Sequence, residues 1–185
     1  MENNAVFEML CATAKELGAD NVSVIEASKI ELDPVFRDIC ASNACGMYGK
    51  CYTCPPDIGD AHVLMSEVRA YDYALVYQKI SQLEDSFDFE GMTEAKKVFY
   101  NLTQRLRSSV NEDEFSKILH LGAGGCGVCE VCAKRTCEPC RFPDLAIASL
   151  EAYCINVSRL ASSAGMKYIN GQNTVTYFGA VLFNL

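Results

Sequence analysis

The sequence lacks the motifs that mark most enzyme active sites. It has no Ser/His/Asp arrangement, no glycine-rich phosphate loop and no HExxH motif. Histidine is scarce, with only His62 and His120, far apart along the chain. Both are interpreted as ordinary surface or core residues, although His120 stays a candidate ligand because it lies six residues before Cys126. No feature of the sequence identifies an organic substrate.

Excess basic charge and long apolar runs are also missing. The formal net charge is -8, and no basic face is visible for phosphate contacts, so no nucleic acid partner is expected. No stretch approaches the roughly 18 uninterrupted apolar residues of a membrane span, so no membrane association is expected. The N-terminal stretch MENNAVFEML lacks the basic and apolar regions of a secretory signal. These absences predict a cytoplasmic protein in a reducing compartment.

The size and the hydrophobic pattern predict the fold. A chain of 185 residues, 50% of them hydrophobic, suits a single domain, 1–185, with cysteine-rich loops at 40–56 and 126–143. The fold class is α/β or α+β, with a central mostly antiparallel or mixed sheet of about four to five strands packed with helices. Periodicity predicts helices at 4–17, 61–71, 91–110 and 144–164. It also predicts a strand or hairpin at 21–32, a strand at 74–80, and a hairpin at 167–185 that turns at 171–173.

Cysteine is abundant, and its distribution is the main functional signal. The 11 cysteines are an odd number, which argues against an all-disulfide framework. Five of them lie in residues 126–143, here called the second cysteine segment. Cys126, Cys129 and Cys132 match the first three ligands of a bacterial ferredoxin motif. Cys140, which follows a proline, is the preferred fourth ligand, and Cys137 is the alternative.

Four more cysteines lie in residues 40–56, the first cysteine segment. They are Cys40, Cys45, Cys51 and Cys54, the last followed by two prolines. The leading interpretation is a second cluster held by these four thiolates. A single cluster built from both segments is one alternative, and a redox-active Cys51–Cys54 pair is another. The isolated Cys11 and Cys154 lie within predicted helices and are interpreted as small core residues.

The predicted cofactor is a 4Fe-4S cluster, present once or twice. Three cysteines in series at two-residue spacing favour iron and sulfide over zinc, whose knuckles usually pair two C-x2-C motifs across a longer arm. Structural zinc is the alternative because it also accepts four thiolates.

The paired motifs resemble a known family. The matching positions are Cys40, Cys45, Cys54, Pro55 and Pro56, then Cys126, Cys129, Cys132, Cys140, Arg141 and Pro143. This pattern resembles an uncharacterised family of cysteine-rich predicted metal-binding proteins, a domain of unknown function common in anaerobic prokaryotes. The resemblance covers most of the chain and implies metal binding, with an iron–sulfur cluster as the expected group. It implies no reaction.

These observations predict an iron–sulfur protein that transfers electrons, or a redox subunit in anaerobic metabolism, with a redox partner protein. One alternative is a metal or cluster trafficking protein whose exposed thiolates pass the metal on. Another is an enzyme that uses an open iron as a Lewis acid. That function needs a cluster with three cysteine ligands, which the uneven first segment permits.

Overall fold

A computed structural model describes residues 2–185, the side chain of Glu2 excepted, so Met1 of the predicted domain lies outside the described residues. These residues form an α+β fold with five α-helices and an open, mixed, five-stranded sheet. The helices are α1 (Glu2–Glu16), α2 (Val35–Ala41), α3 (Ala61–Arg69), α4 (Phe89–Ser109) and α5 (Val157–Ser163). The strands are β1 (Asn21–Glu26), β2 (Tyr73–Gln82), β3 (Lys117–Gly122), β4 (Ala148–Ser149) and β5 (Thr174–Asn184).

The strand order is β1-β2-β5-β3-β4, with the C-terminal strand β5 at the centre. β5 runs antiparallel to both of its neighbours, and Ala180 faces Val76 of β2 on one side and Leu121 of β3 on the other. Only the short β4 runs parallel, pairing with the end of β3. The predicted mixed sheet of four to five strands is therefore confirmed.

Alternate residues of the central strands build two separate cores, one on each face of the sheet. Leu75 and Tyr77 pack in the core that includes residues of α1 and α4. Val76 and Ala180 pack in the core that includes residues of α3 and α5. Gly179 is required opposite Tyr77, because a Cβ there would lie 2.4 Å from the tyrosine ring.

Three predicted helices are confirmed, at 4–17, 61–71 and 91–110, because each has a hydrophobic face. The second and third also have a capping residue at their start. Asp60 caps α3 by accepting the backbone N–H groups of His62 and Val63, and Asp88 caps α4 by accepting that of Gly91. The strand predicted at 74–80 is present as β2, and the strand predicted at 21–32 is present only over Asn21–Glu26, as β1, because a 3-10 turn at Ala27–Lys29 follows it. Among residues 2–185, no helix is both long enough and apolar enough to cross a membrane.

The helix predicted at 144–164 is wrong over most of its length. The segment contains two short 3-10 turns and strand β4, and only its end, Val157–Ser163, is α-helical. Cys154 has φ 62°, which interrupts any helix, and Asn156 caps the helix that follows. The segment is apolar on all sides because it lies in the core, and such a run does not distinguish a helix from other buried structure.

The hairpin predicted at 167–185 is also wrong, because the tail contains the single strand β5. Both edges of β5 bond to β2 and β3, so no position is left for a local partner strand. Two elements were not predicted: α2, which carries Cys40, and β3, which leads into the second cysteine segment. The cysteine Cys154, expected within a helix, lies instead in a turn.

Candidate metal centre

The two cysteine segments leave the sheet from different strands and meet beside it. The first lies in the connection between β1 and β2, and the second fills the connection between the parallel strands β3 and β4. The backbone N–H of Leu150 donates to the carbonyl of Gly122 at 3.0 Å, which closes the second connection at its base. The sheet therefore holds both ends of each segment.

Direct contacts join the two segments. The Tyr52 hydroxyl donates to the carbonyl oxygen of Glu138 at 2.6 Å, and the N–H of Cys126 donates to Thr53 Oγ1 at 3.3 Å. Lys134 forms an ion pair with Asp57 just beyond the first segment. A Cβ at Gly125 would lie 3.0 Å from Met47 Cε and 3.6 Å from Cys54 Sγ, so the first segment packs directly on the backbone of the second at this glycine.

The second segment brings its four predicted ligands around one small cavity. Cys126, Cys129, Cys132 and Cys140 line it together with Arg141 and Phe142. Cys137 does not line this cavity; it is exposed and has φ 57°, which turns it out of the loop. The arrangement of thiols is the one expected if Cys140, rather than Cys137, is the fourth ligand.

Hydrogen-bond donors surround the sulfurs of this cavity. Cys126 Sγ accepts the backbone N–H groups of Val128 and Ile147, although burial outweighs them and raises the pKa of the Cys126 thiol. The Arg141 guanidinium donates to the Cys129 sulfur and to Glu138. Such donors stabilise thiolates and tune the potential of sulfur-bound clusters. Four thiols with N–H donors therefore fit a 4Fe-4S cluster, and they also satisfy the ligand set of a zinc site.

The first segment brings together three of its four predicted ligands. Cys40, Cys45 and Cys54 line a cavity of about 260 Å³, which Glu151, Ser149 and apolar side chains also border. Cys40 comes from helix α2, Cys45 from the turn after it, and Cys54 from the turn before the two prolines. The cavity therefore collects donors from three separate parts of the first connection and from the segment after β4.

Cys51 lies apart from that cavity, fully buried between Cys54 and the second segment. Its sulfur lies 3.3 Å from Thr53 Oγ1, and it accepts N–H groups from Thr53 and Cys126. The Cys54 thiol donates to it, which lowers the pKa of Cys51 and raises that of Cys54. Cys51 is thus the thiol that lies between the first cavity and the second segment.

The remaining candidates lie away from both thiol cavities. Cys11 lies in α1, and Cys154 is buried in the turn before α5. His62 is exposed, and His120 is buried in β3 near Glu112; neither histidine lines either cavity. Within residues 2–185, no group of three or more His, Cys, Asp or Glu side chains is arranged closely enough to hold a single metal ion. The thiols border cavities rather than meet at one point.

Comparison with known proteins identifies the family. The family model described as "Predicted metal-binding protein (DUF2284)" matches residues 23–183, which include both cysteine segments and every strand from β2 to β4. The chain belongs to this family of predicted metal-binding proteins. A search of curated proteins finds no significant match, and a search of solved structures finds none either. The resemblance inferred from the cysteine motifs is therefore confirmed, and membership supports metal binding without specifying a metal.

Sequence reasoning missed two side chains that border the thiols. Glu151 follows β4 and lines the cavity of the first segment. Tyr100 of α4 packs against the second segment, since a Cβ at Gly127 would lie 3.3 Å from its ring. Tyr100 also lines a cavity of about 380 Å³ that Cys126 borders. Neither residue lies in a cysteine motif, so only the folded chain brings them to the site.

Proposed function

We propose that this protein binds two 4Fe-4S clusters, one at each thiol cavity, and transfers electrons as a carrier or as a subunit of an anaerobic redox system. The observation that carries the proposal is the set of four thiols around one cavity in the second segment: Cys126, Cys129, Cys132 and Cys140. Bound clusters of this type supply one-electron transfer. A reducing, anaerobic cytoplasm suits such thiolates because oxygen and disulfide formation are both limited there.

The connection between the segments supports electron transfer between the two centres. Cys51 lies between Cys54 of the first cavity and Cys126 of the second, and hydrogen bonds join all three residues. Cys51 and Cys54 are both buried on this path. Two centres held by one rigid contact favour passage of an electron through the protein over a single isolated redox group.

The acidic surface supports a protein partner of opposite charge. The net charge is -8 before any thiol ionises, and eight thiolates outweigh the positive charge of two cubane cores. We therefore expect a redox partner with a basic docking face, and association that slows as salt is added.

The proposal is tested on protein purified without oxygen, by counting iron, zinc and acid-labile sulfide. Eight iron and eight sulfide per chain are expected, with the visible absorption of thiolate-bound clusters, which bleaches on reduction. Cys140→Ala should remove one cluster and halve both counts, because alanine offers no ligand. Cys137→Ala is the matched control within the same loop and should leave both counts unchanged.

Zinc without acid-labile sulfide in the wild-type protein would refute the proposed cofactor. Iron loss in Cys137→Ala but not in Cys140→Ala would show instead that Cys137 is the fourth ligand.

A further inference from the structure

The cavity of the first segment contains three thiols and one carboxylate rather than four thiols. Cys40, Cys45, Cys54 and Glu151 all line it, whereas Cys51 does not. Carboxylates bind iron as hard oxygen ligands and exchange more readily than thiolates. The composition of the cavity therefore raises the question of which group occupies the fourth ligand position of a cluster there.

Two facing elements hold Glu151 beside Cys40. Glu151 begins the 3-10 turn after β4, and the buried Leu150 anchors that turn to β3 through its bond to Gly122. Arg37 of α2 donates to the carbonyl oxygen of Ala152 at 2.9 Å, which ties α2 to the same turn. Cys40 lies on α2, three residues after Arg37. The position of Glu151 relative to Cys40 is thus set by secondary structure on both sides.

The charges in this cavity are almost entirely potential anions. Glu151 takes part in none of the ion pairs of the described residues. Arg37 is turned toward two carbonyl oxygens, those of Ala152 and Gly59. Anionic groups gathered around one cavity are stabilised when they bind a cation or a metal centre. A metal centre in the cavity would neutralise both the thiolates and the carboxylate.

Cys51, in contrast, already has partners outside the cavity. Its sulfur accepts hydrogen bonds from Thr53 and Cys126 and is oriented toward the second segment. To reach the cavity as a ligand, Cys51 would have to leave its 3.3 Å contact with the half-buried Thr53 hydroxyl, which itself accepts the N–H of Cys126.

We infer that the first cluster is bound by Cys40, Cys45 and Cys54, and that the Glu151 carboxylate occupies the fourth, exchangeable position, accessible to small oxygen- or nitrogen-donor ligands. This inference rests on the proposed function, because it presupposes a cluster at this cavity. Cys51 is then not a ligand of this cluster. Such a site can bind a small ligand at one iron, which a cluster with four thiolates cannot do without losing one of them.

The experiment compares Glu151→Gln with Cys51→Ala in anaerobically purified protein. Cys154→Ala is the matched control, since Cys154 is equally buried and lies outside the cavity. The readouts are the iron count and electron paramagnetic resonance during titration with ferricyanide. Ferricyanide removes one electron from a 4Fe-4S cluster, which then releases one Fe²⁺ and becomes a 3Fe-4S cluster with a distinct signal.

Glu151→Gln is expected to keep about seven to eight iron and to form the three-iron signal at least tenfold faster than the wild type. Cys51→Ala and Cys154→Ala are expected to match the wild type in iron count and rate. In the wild type, cyanide should alter the signal of one reduced cluster only, and Glu151→Gln should bind it more tightly. If Glu151→Gln does not fold, Glu151→Asp replaces it, because aspartate keeps the carboxylate. Its three-iron signal should form at a rate between that of the wild type and that expected for Glu151→Gln.

The inference would be overturned if Cys51→Ala lost four iron, or formed the three-iron signal rapidly, while Glu151→Gln behaved like the wild type. That result would leave the proposed function intact. Wild-type behaviour of both variants would also overturn it. Wild-type protein without acid-labile sulfide would overturn the proposed function and the inference together.

Discussion

His120 is expected to stay neutral far below the pH at which an exposed histidine is protonated. The residue is buried in β3, and its Nε2 has no hydrogen-bond partner among the described residues. Burial, assisted by the nearby Arg107, lowers the pKa of His120 from 6.5 to about 4. Glu112 lies 3.6 Å from Nε2 and would act in the opposite direction. Burial prevails because Glu112 is half exposed and is shared with Arg107, 3.7 Å away.

The sign and size of the stability effect follow from this shift. The unfolded chain takes up a proton at His120 near pH 6.5, whereas the folded chain does so only near pH 4. Acid therefore favours the unfolded state, so the free energy of unfolding falls as the pH drops below 6.5 and the loss levels off below 4. This single residue contributes a loss of about 1.2 kcal/mol between pH 7 and pH 5.5, and about 3 kcal/mol in total.

The assay uses the presence of only two histidines in the chain. In a proton NMR titration, His120 should not titrate above pH 5. In urea unfolding, His120→Leu should lose less stability than the wild type on going from pH 7 to 5.5, by about 1.2 kcal/mol, and His62→Leu should behave like the wild type. A His120 pKa at or above 6.5 would refute the reasoning, because the contact with Glu112 would then outweigh burial.

Three further predictions concern the core and the cysteines outside the proposed ligand sets. Gly179→Ala should lower the free energy of unfolding by about 2–4 kcal/mol because its Cβ would overlap the Tyr77 ring, and Tyr77→Leu in the same chain should recover part of that loss in urea unfolding. Cys137→Gly should raise the free energy of unfolding by about 0.5–1 kcal/mol, since glycine tolerates φ 57°. Its iron content should equal that of the wild type, and loss of iron would contradict this prediction. Cys154→Ser should keep the full metal content but lower the free energy of unfolding by about 1–3 kcal/mol. Cys11→Ser should lower it by less, because Cys11 is partly exposed.

Local sequence predicted the elements whose pattern and boundary residues agree. Helix α4 has both an apolar stripe and the cap Asp88, and β2 has a buried run that ends before an acidic loop. The segment 144–164 lacked such agreement. Its apolar residues fill the space between the sheet and α3, and tertiary contacts decide its conformation there. The conformation of the C-terminal tail also depends on distant residues, because β5 lies between β2 and β3, which are far away in sequence.

In the candidate site, the sequence predicted the arrangement of the second segment better than that of the first. Spacing alone predicted the grouping of Cys126, Cys129, Cys132 and Cys140, because short loops hold their own thiols together. The longer spacings of the first segment leave the direction of each thiol to the fold. The motif does not indicate that Cys51 lies away from the first cavity, nor that Glu151 lies at its wall. Both positions depend on contacts with the second connection.

The short parallel strand β4 connects the two thiol cavities structurally. Its pairing of Leu121 with Ala148 and of Gly122 with Ser149 closes the long connection that carries the second cysteine segment, which limits the entropy lost when those thiols are ordered. The residue two positions later is Glu151, at the wall of the first cavity. One pair of strands therefore orders the thiols around the second cavity and places a carboxylate at the first. If the two proposed clusters are bound there, weakening this pairing should lower the iron content of both, although no thiol is altered, whereas replacing a single cysteine should affect one.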